Sequence, residues 1–220
     1  MSPSGSETTS TDAELALRRS RMVERQLRRR GIRDERVLAA MGTVKRERFV
    51  PESLRDRAYR DGALPIAEDQ TISQPWIVAR MIELMGLTGP ERVLEVGTGS
   101  GYAAAVLARC AAHVVSVERH RPLSEAAARA LEASEVRNVE LRVGDGSLGV
   151  PDRAPFDAIC VTASASSGEP PGALREQLAP GGALVCPLDR GGEEHLAVMR
   201  EGRIEKVTPV RFVPLVEGGS

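Results

Sequence analysis

The sequence predicts an α/β fold: a doubly wound, mostly parallel sheet with an antiparallel hairpin at its C-terminal edge and an N-terminal helical extension. From residue 75 onwards, short apolar runs alternate with helical patterns, which is typical of a parallel sheet covered by helices on both faces. A glycine-rich turn follows the first strand-like run. The last two runs are joined through Glu201 and Gly202, a short link that favours a hairpin.

Before residue 75 the pattern is helical and then irregular. Asp12 and Asp34 are each suited to cap a helix, because a periodic apolar segment follows each of them. Helices are expected at residues 12–27, ending near Gly31, and at residues 35–41, closed by Gly42. Residues 46–74 are punctuated by proline and glycine and are expected to be irregular.

In the alternating part, a proline in the first turn and Gly86 after the end predict a helix over residues 75–84. The same periodicity predicts helices at residues 100–110, 122–132 and 170–178. The short apolar runs predict strands at residues 92–96, 113–118, 139–143, 156–161, 183–187, 195–200 and 207–213.

The chain has 220 residues, which is enough for one sizeable α/β domain. Residues 1–11 are small and polar and are expected to form a disordered tail. Residues 12–220 are expected to form a single domain. Within it, residues 12–74 are the helical extension, 75–190 the ligand-binding core and 191–220 the C-terminal strands.

Composition narrows the functional class. The net charge of −1 gives no electrostatic ground for a nucleic-acid partner. No apolar run approaches the roughly 20 residues of a membrane-spanning helix, and the polar N-terminus does not resemble a signal peptide. We therefore expect a cytoplasmic protein without a membrane partner. Cys110, Cys160 and Cys186 are scattered, so we expect buried thiols rather than a disulfide or a metal site.

The turn after the first core strand is the clearest functional signal. Residues 93–96 run directly into Gly97, Thr98, Gly99, Ser100 and Gly101. Doubly wound sheets bind ligands at the carboxyl ends of their strands, and glycines let a ligand approach the backbone closely. The following helix start offers free N–H groups. These five residues are therefore predicted to bind a cofactor.

Two cofactor classes compete for such a turn. A dinucleotide fingerprint requires G-x-G-x-x-G/A, whereas Tyr102 follows Gly101 here and breaks that spacing. Glu95, just before the glycines, would repel a pyrophosphate. Its charge would instead favour an ammonium group, such as the methionine end of S-adenosylmethionine. A dinucleotide-dependent oxidoreductase remains the alternative.

Two further acids stand at the ends of the next strands. Glu118 lies about 20 residues beyond Gly97, where an acid can accept both hydroxyls of a ribose. Asp145 and Gly146 follow the third core strand. Asp145 is placed to reach an adenine amino group. Three acids at three successive strand ends favour a nucleoside with a positively charged tail.

Several segments together resemble one family, the protein-L-isoaspartate O-methyltransferases. The resemblance runs from about Met22 to Val216. The segments that carry it are Ala58-Tyr59, Leu64-Pro65-Ile66, Gln70-Thr71-Ile72-Ser73-Gln74-Pro75, Val93 through Tyr102, and Phe212-Val213-Pro214-Leu215. It implies a Rossmann-like methyltransferase sheet, S-adenosylmethionine as cofactor and S-adenosylhomocysteine as product. The substrate it implies is the free α-carboxylate of L-isoaspartyl residues, methylated to begin repair through a succinimide.

The resemblance also assigns site residues. It makes Ser73 the catalytic residue and places residues 12–74 on the substrate side. The peptide is expected to contact Ile72, Ser73, Thr162, Ala163, Val213, Pro214 and Leu215. The residues alone leave a second role open for Ser73, because a serine just before Pro75 is also suited to cap a helix. We expect isoaspartyl proteins or peptides as partners of a monomeric enzyme.

One loop departs from the family pattern. Relatives carry Ile-Gly-x-Gly-Gln-Thr after Leu-Pro, whereas Ala67, Glu68 and Asp69 stand here. The change stiffens the loop and brings negative charge beside the substrate carboxylate, which it would repel. Two other readings follow from it. The chain would methylate ordinary aspartates of a dedicated peptide precursor, or it would bind peptides without catalysis.

Overall fold

The computed structural model describes residues 11–216 and 218. The predicted tail lies outside these residues except for Thr11. The helices are α1 (Asp12–Met22), α2 (Glu35–Thr43), α3 (Pro75–Met85), α4 (Tyr102–Leu107), α5 (Arg121–Ala133) and α6 (Gly172–Glu176). The strands are β1 (Leu64–Pro65), β2 (Thr71–Ile72), β3 (Arg92–Val96), β4 (His113–Glu118), β5 (Val139–Val143), β6 (Phe156–Val161), β7 (Leu178–Arg190), β8 (Glu193–Arg200) and β9 (Arg203–Pro209).

The main sheet confirms the predicted fold class. In the described residues its strands follow the order β5-β4-β3-β6-β7-β8-β9. The first five are parallel, and β8 and β9 add an antiparallel edge hairpin. The chain crosses from β5 back to β6, on the other side of β3, so the order reverses at the carboxyl end of β3. This reversal opens the crevice in which such sheets bind ligands.

Alternation of side chains along each central strand builds two layers of core. In β3, Val93 faces the layer that contains α2, α3 and α4. Leu94 and Val96 face the opposite layer, which contains Leu174 of α6. Successive residues of a strand point to opposite faces, so β3 is buried on both of its faces. None of the helices in the described ranges is both long and apolar enough to span a bilayer.

The N-terminal extension is helical as predicted, with one correction at its start. Thr11 is the cap, not Asp12: its hydroxyl accepts from Glu14 N, and the Glu14 carboxylate accepts from Thr11 N. A threonine with a glutamate three residues later forms a reciprocal pair of bonds, in which each side chain accepts from the backbone N–H of the other residue. The helix continues through a π-helical and a 3-10 turn and ends at Gly31, whose φ is 94°.

Other predicted boundaries shift by a few residues. Asp34 caps α2 as expected, but α2 continues through Gly42 to Thr43. The predicted helices at 100–110 and 170–178 are shorter, and the strand predicted at 183–187 is longer. The strand predicted at 207–213 is displaced to β9. The irregular stretch before α3 contains two 3-10 turns and the small β1–β2 hairpin.

Two contacts fasten the extension to the core. The Glu83 carboxylate of α3 accepts from Arg33 N at 2.6 Å and from Asp34 N at 3.0 Å. These bonds outweigh burial and lower the pKa of Glu83 below its usual value. The Arg46 guanidinium is buried 4.9 Å from the ring centroid of Tyr102 in α4. The extension is therefore packed against the helix that starts at the glycine turn.

Replacing Asp34 by alanine is expected to lower the free energy of unfolding by about 1 kcal/mol. The carboxylate accepts the N–H groups of Arg36 and Val37, which alanine would leave unpaired. Urea denaturation measures the change. Asp12→Ala is the matched control, since Asp12 is not the cap of α1, and it should cost clearly less. Equal costs for the two variants would contradict the assignment of the caps.

Candidate active site

One cavity at the carboxyl ends of the parallel strands contains most of the predicted site. It encloses about 1090 Å³ including its open mouth, a volume suited to a nucleoside with a peptide end beside it. The predicted residues that line it are Ile72, Ser73, Gly97, Thr98, Gly99, Ser100, Glu118, Gly146, Thr162, Ala163, Val213, Pro214 and Leu215. Glu95, Gly101 and Asp145 are not among the lining residues.

The glycine turn is fixed between its two neighbouring strands. Gly97 N donates to Val117 O of β4 at 2.8 Å. On the other side, the Thr162 hydroxyl after β6 donates to Val96 O and Gly97 O, at 3.0 and 2.7 Å. Gly97 has a φ of 93°, and a Cβ there would collide with Thr162 Oγ1. Only glycine is compatible with both the dihedral angle and the close approach.

Glu118 is held on the cavity wall by two backbone groups. Its Oε2 accepts from Gly99 N and its Oε1 from His120 N, both at 2.9 Å. Each carboxylate oxygen retains a further lone pair. The fixed carboxylate is therefore suited to accept two vicinal hydroxyls, which is the role that the sequence predicts for it.

Glu95 lies beneath the turn rather than on the cavity wall. Its side chain is fully buried, and its Oε2 accepts from Ser116 Oγ at 2.5 Å. Ser116 Oγ is in turn 2.5 Å from Thr98 Oγ1. Burial raises the pKa of Glu95 to about 8, repulsion from Glu118 adds to the rise and the Ser116 bond opposes it. The carboxyl group is thus mostly neutral at pH 7, and this placement does not bring it to a ligand ammonium.

The Asp145 carboxylate is hydrogen-bonded to protein groups and does not line the cavity. Oδ1 accepts from Ser147 N and Oγ, and Oδ2 accepts from Gly218 N at 2.7 Å. Burial alone would raise the pKa of Asp145, but these hydrogen bonds hold it below its usual value. The neighbouring Gly146 does line the cavity, where a Cβ would lie 2.5 Å from Val96 Cγ1. Only a residue without a side chain therefore fits at this position of the cavity wall.

Ser73 lies on the opposite wall, between β2 and α3. The cap residue of α3 is Gln74, and no side chain caps this helix. The alternative role of Ser73 as a helix cap is therefore wrong. Among the described residues, the Ser73 hydroxyl has no hydrogen-bond partner. A hydroxyl that lines the cavity and has no partner in the described part of the chain is suited to donate to a carboxylate.

The C-terminal segment completes the cavity beside the end of β6. Ser164 N donates to Val213 O, and Leu215 N donates to Ser164 O, both at 2.8 Å. These bonds form a short parallel bridge between Ser164 and Pro214. Segments that are about 50 residues apart in sequence, 162–164 and 213–215, thus form one edge of the cavity. Backbone groups at this edge can hold an extended peptide.

The loop that departs from the family pattern turns towards the glycine turn. Glu68 and Asp69 have φ values of 58° and 53°, a conformation that costs most residues roughly 1–2 kcal/mol. Ile66 approaches Gly99. Glu68 Oε2 lies 3.7 Å from His120 Nδ1, so its charge is balanced when His120 is protonated. Gln70, directly after this loop, lines the cavity, whereas Ala67, Glu68 and Asp69 do not.

Several residues of the site do not follow from the sequence motifs. The inner wall includes Val78, Met81 and Ile82 of α3 and the buried Tyr102 of α4. His120 also lines the cavity, and its place two residues after Glu118 is the sequence feature that could have indicated this. Among the described residues, no group of three or more potential ligands is placed to hold a metal ion. Cys110, Cys160 and Cys186 are buried free thiols, as predicted.

Replacing Gly97 by alanine is expected to weaken binding of S-adenosylhomocysteine at least about tenfold, which corresponds to roughly 1.4 kcal/mol. The new Cβ would displace Thr162 or distort the turn. Titration calorimetry measures the affinity. Gly144→Ala is the matched control, because a Cβ there meets nothing within 4 Å. Equal affinities for the two variants would refute this account of the turn.

Replacing Glu95 by glutamine should change how stability depends on pH. The folded pKa of about 8 lies above the ordinary 4.5, so the parent protein loses stability as the pH rises from about 4.5 to 8. Glutamine is neutral throughout and lacks this loss. Relative to the parent, the variant should gain about 3–4 kcal/mol between pH 5 and 8, or roughly 7–14 °C in Tm. Calorimetry at pH 5 and at pH 8 measures the Tm of both proteins, with Glu205→Gln, at an exposed position, as the control. A Tm difference between Glu95→Gln and the parent that is the same at both pH values would contradict a neutral Glu95.

Comparison with known proteins agrees with this geometry. The family described as "Protein-L-isoaspartate(D-aspartate) O-methyltransferase (PCMT)" matches residues 17–220. A protein-L-isoaspartate O-methyltransferase of Methylorubrum populi is 54% identical over 205 residues, covering 91% of this chain and 95% of that protein. One of Yersinia enterocolitica is 53% identical over 196 residues, covering 88% and 93%.

Solved structures give the same result. A protein-L-isoaspartate O-methyltransferase is 31% identical with a TM-score of 0.79, over 91% of this chain and 66% of that chain. A Plasmodium falciparum protein assigned to the same family, solved with S-adenosyl-L-homocysteine, is 25% identical with a TM-score of 0.78 over 91% and 99% of the two chains. The chain therefore belongs to the protein-L-isoaspartate(D-aspartate) O-methyltransferase family.

Proposed function

We propose that this chain transfers a methyl group from S-adenosylmethionine to the free α-carboxylate of L-isoaspartyl residues in damaged proteins or peptides, which initiates repair through a succinimide. One observation carries the proposal. Ser73, the glycine turn with Glu118, and the 213–215 segment all line the same cavity. The cofactor half of this cavity is common to many methyltransferases, whereas the other two segments belong to the family pattern.

The cofactor half fits a nucleoside with an amino-acid tail. Glu118 offers two oxygens for ribose hydroxyls, and Gly146 lines the same cavity, where we propose that the adenine ring lies. Thr98, Gly99 and Ser100, which precede α4, also line the cavity. Because Glu95 is buried beneath the turn, we propose that it supports the turn through Ser116 rather than binding the ammonium group directly.

The substrate half requires placement more than acid–base chemistry. When bound, S-adenosylmethionine supplies a methyl group on a positively charged sulfur, and its transfer to a carboxylate oxygen leaves neutral S-adenosylhomocysteine with no proton moved. We propose that the Ser73 hydroxyl donates to the carboxylate oxygen and orients it. The apolar wall of α3 excludes water from the same space. Proximity of this kind accounts for large rate effects without a general base.

We further propose the substrate partners, the oligomeric state and the compartment of this enzyme. Isoaspartyl proteins or peptides would lie along the edge that residues 162–164 and 213–215 form together, next to Ser73. A monomer suffices for this proposal, because one chain supplies every wall of the cavity. The three buried free thiols suit a reducing compartment such as the cytoplasm.

The decisive assay supplies S-adenosylmethionine with an isoaspartyl peptide or with its aspartyl twin and measures base-labile methyl ester. We expect esterification of the isoaspartyl peptide alone. Selective esterification of the aspartyl twin would instead indicate a dedicated precursor as substrate. Esterification of neither peptide would overturn the proposal.

Ser73→Ala is expected to lower kcat/KM for the isoaspartyl peptide by about 10- to 100-fold, because one donor to the carboxylate is lost. The affinity for S-adenosylhomocysteine should change less than about twofold. Ser53→Ala, an exposed serine in the extension, is the matched control. An unchanged kcat/KM for Ser73→Ala would refute the role of this hydroxyl.

A further inference from the structure

Gln74 connects Ser73 to a polar network outside the cavity. Its amide Nε2 donates to Asp61 Oδ1 at 2.6 Å. Asp61 itself is not among the cavity-lining residues. Ser73 lies between the paired strand β2 and this anchored glutamine, and no described residue accepts from or donates to its side chain. The orientation of the Ser73 hydroxyl therefore depends on how firmly its two neighbours are held.

Arg30, at the end of the first helical segment, holds Asp61 in place. Arg30 Nη1 lies 3.0 Å from both Asp61 oxygens. The guanidinium carbon is 4.9 Å from the centroid of the Trp76 ring, and Trp76 Nε1 donates to Arg30 O at 3.3 Å. Three segments of the chain thus meet around Gln74: the end of the first helix, the loop that contains Asp61, and the start of α3.

This network has little to offer global stability. The Arg30 and Asp61 side chains are 41% and 44% exposed, and exposed ion pairs contribute about 0–1 kcal/mol. The bond from Gln74 is different, because a short bond from an amide to a carboxylate fixes a direction. A displacement of about 1 Å at a reacting group can cost on the order of 100-fold in rate. The network is therefore better suited to fixing geometry than to holding the fold together.

The charge of Asp61 also bears on the substrate. An unpaired carboxylate close to the site would repel the carboxylate that is to be methylated. Arg30 supplies the opposite charge at hydrogen-bond distance. The two residues therefore have separable effects: Asp61 holds Gln74 in one orientation, and Arg30 keeps Asp61 from opposing substrate binding.

We propose that Asp61 and Arg30 are positioning residues that orient Ser73 through Gln74 and neutralise the approach to the substrate carboxylate. This inference rests on the proposed role of Ser73. It gives the first helical segment a part in the reaction, although no residue of that segment lines the cavity.

The test compares Asp61→Ala, Asp61→Asn and Arg30→Gln with Asp56→Asn. The control removes a similar exposed pair, Arg18 with Asp56 at 3.8 Å, from the same extension. For the isoaspartyl peptide, Asp61→Ala should lower kcat about tenfold or more, and Asp61→Asn should recover part of the loss. Arg30→Gln should mainly raise KM, and this increase should be smaller at high salt. Arg30→Lys keeps the positive charge, so its KM should be close to that of the parent.

Measurements beyond activity separate positioning from a loss of folding. Tm and the affinity for S-adenosylhomocysteine should be the same for Asp61→Ala as for Asp56→Asn. Hydrogen exchange over residues 71–78, followed by mass spectrometry, should be faster in Asp61→Ala alone. Because it needs no substrate, this readout tests the inference even if the isoaspartyl peptide is not esterified.

Parent-like exchange over residues 71–78, or a parent-like kcat, in Asp61→Ala would overturn the inference. A parallel fall in kcat and Tm would also overturn it, since it would reveal a purely structural role. Failure of the proposed function gives a different result. The parent and Ser73→Ala would then esterify the isoaspartyl peptide equally little, and the hydrogen exchange of Asp61→Ala would still test the inference.

Discussion

The close approach of Thr162 to Gly97 is the contact on which the rest of the site depends. The threonine hydroxyl occupies the space that any side chain at Gly97 would need, and it donates to the carbonyls on either side of the strand end. This draws β6 and β3 together at the point where the strand order reverses. Thr162 also begins the segment that pairs with the C-terminal residues 213–215. One contact thus joins the predicted cofactor wall to the predicted peptide wall.

The sheet could be predicted from the sequence because its signals are local. The bounds of β3 to β6 follow from short runs rich in apolar residues, which are typical of strands in a parallel sheet covered by helices. Helix ends were less predictable. Periodicity predicts a helix at residues 100–110, but the turn through Gly101 delays its start to Tyr102. At the N-terminus, reciprocal bonding between Thr11 and Glu14 prevails over the aspartate beside it.

The site was predictable in position but less so in detail. Motifs locate Ser73, the glycine turn and Glu118, because each lies at a strand or helix end that the topology brings to one edge. They do not reveal which way a side chain points. Glu95 occupies a position that could face the ligand or the core, and the hydroxyl of Ser116 holds it in the core. The link from Arg30 through Asp61 to Gln74 spans more than 40 residues of sequence, so no local pattern could have indicated it.

The division between a shared cofactor half and a family-specific substrate half explains how such a fold acquires its substrate. The central claim is that one cavity brings an isoaspartyl carboxylate to Ser73 beside the methyl donor. A crystal structure with S-adenosylhomocysteine and an isoaspartyl peptide tests this most directly. We predict the carboxylate within hydrogen-bond distance of Ser73 Oγ, the ribose on Glu118, and the peptide along residues 213–215. A carboxylate bound away from Ser73, or a peptide bound outside this cavity, would contradict the account.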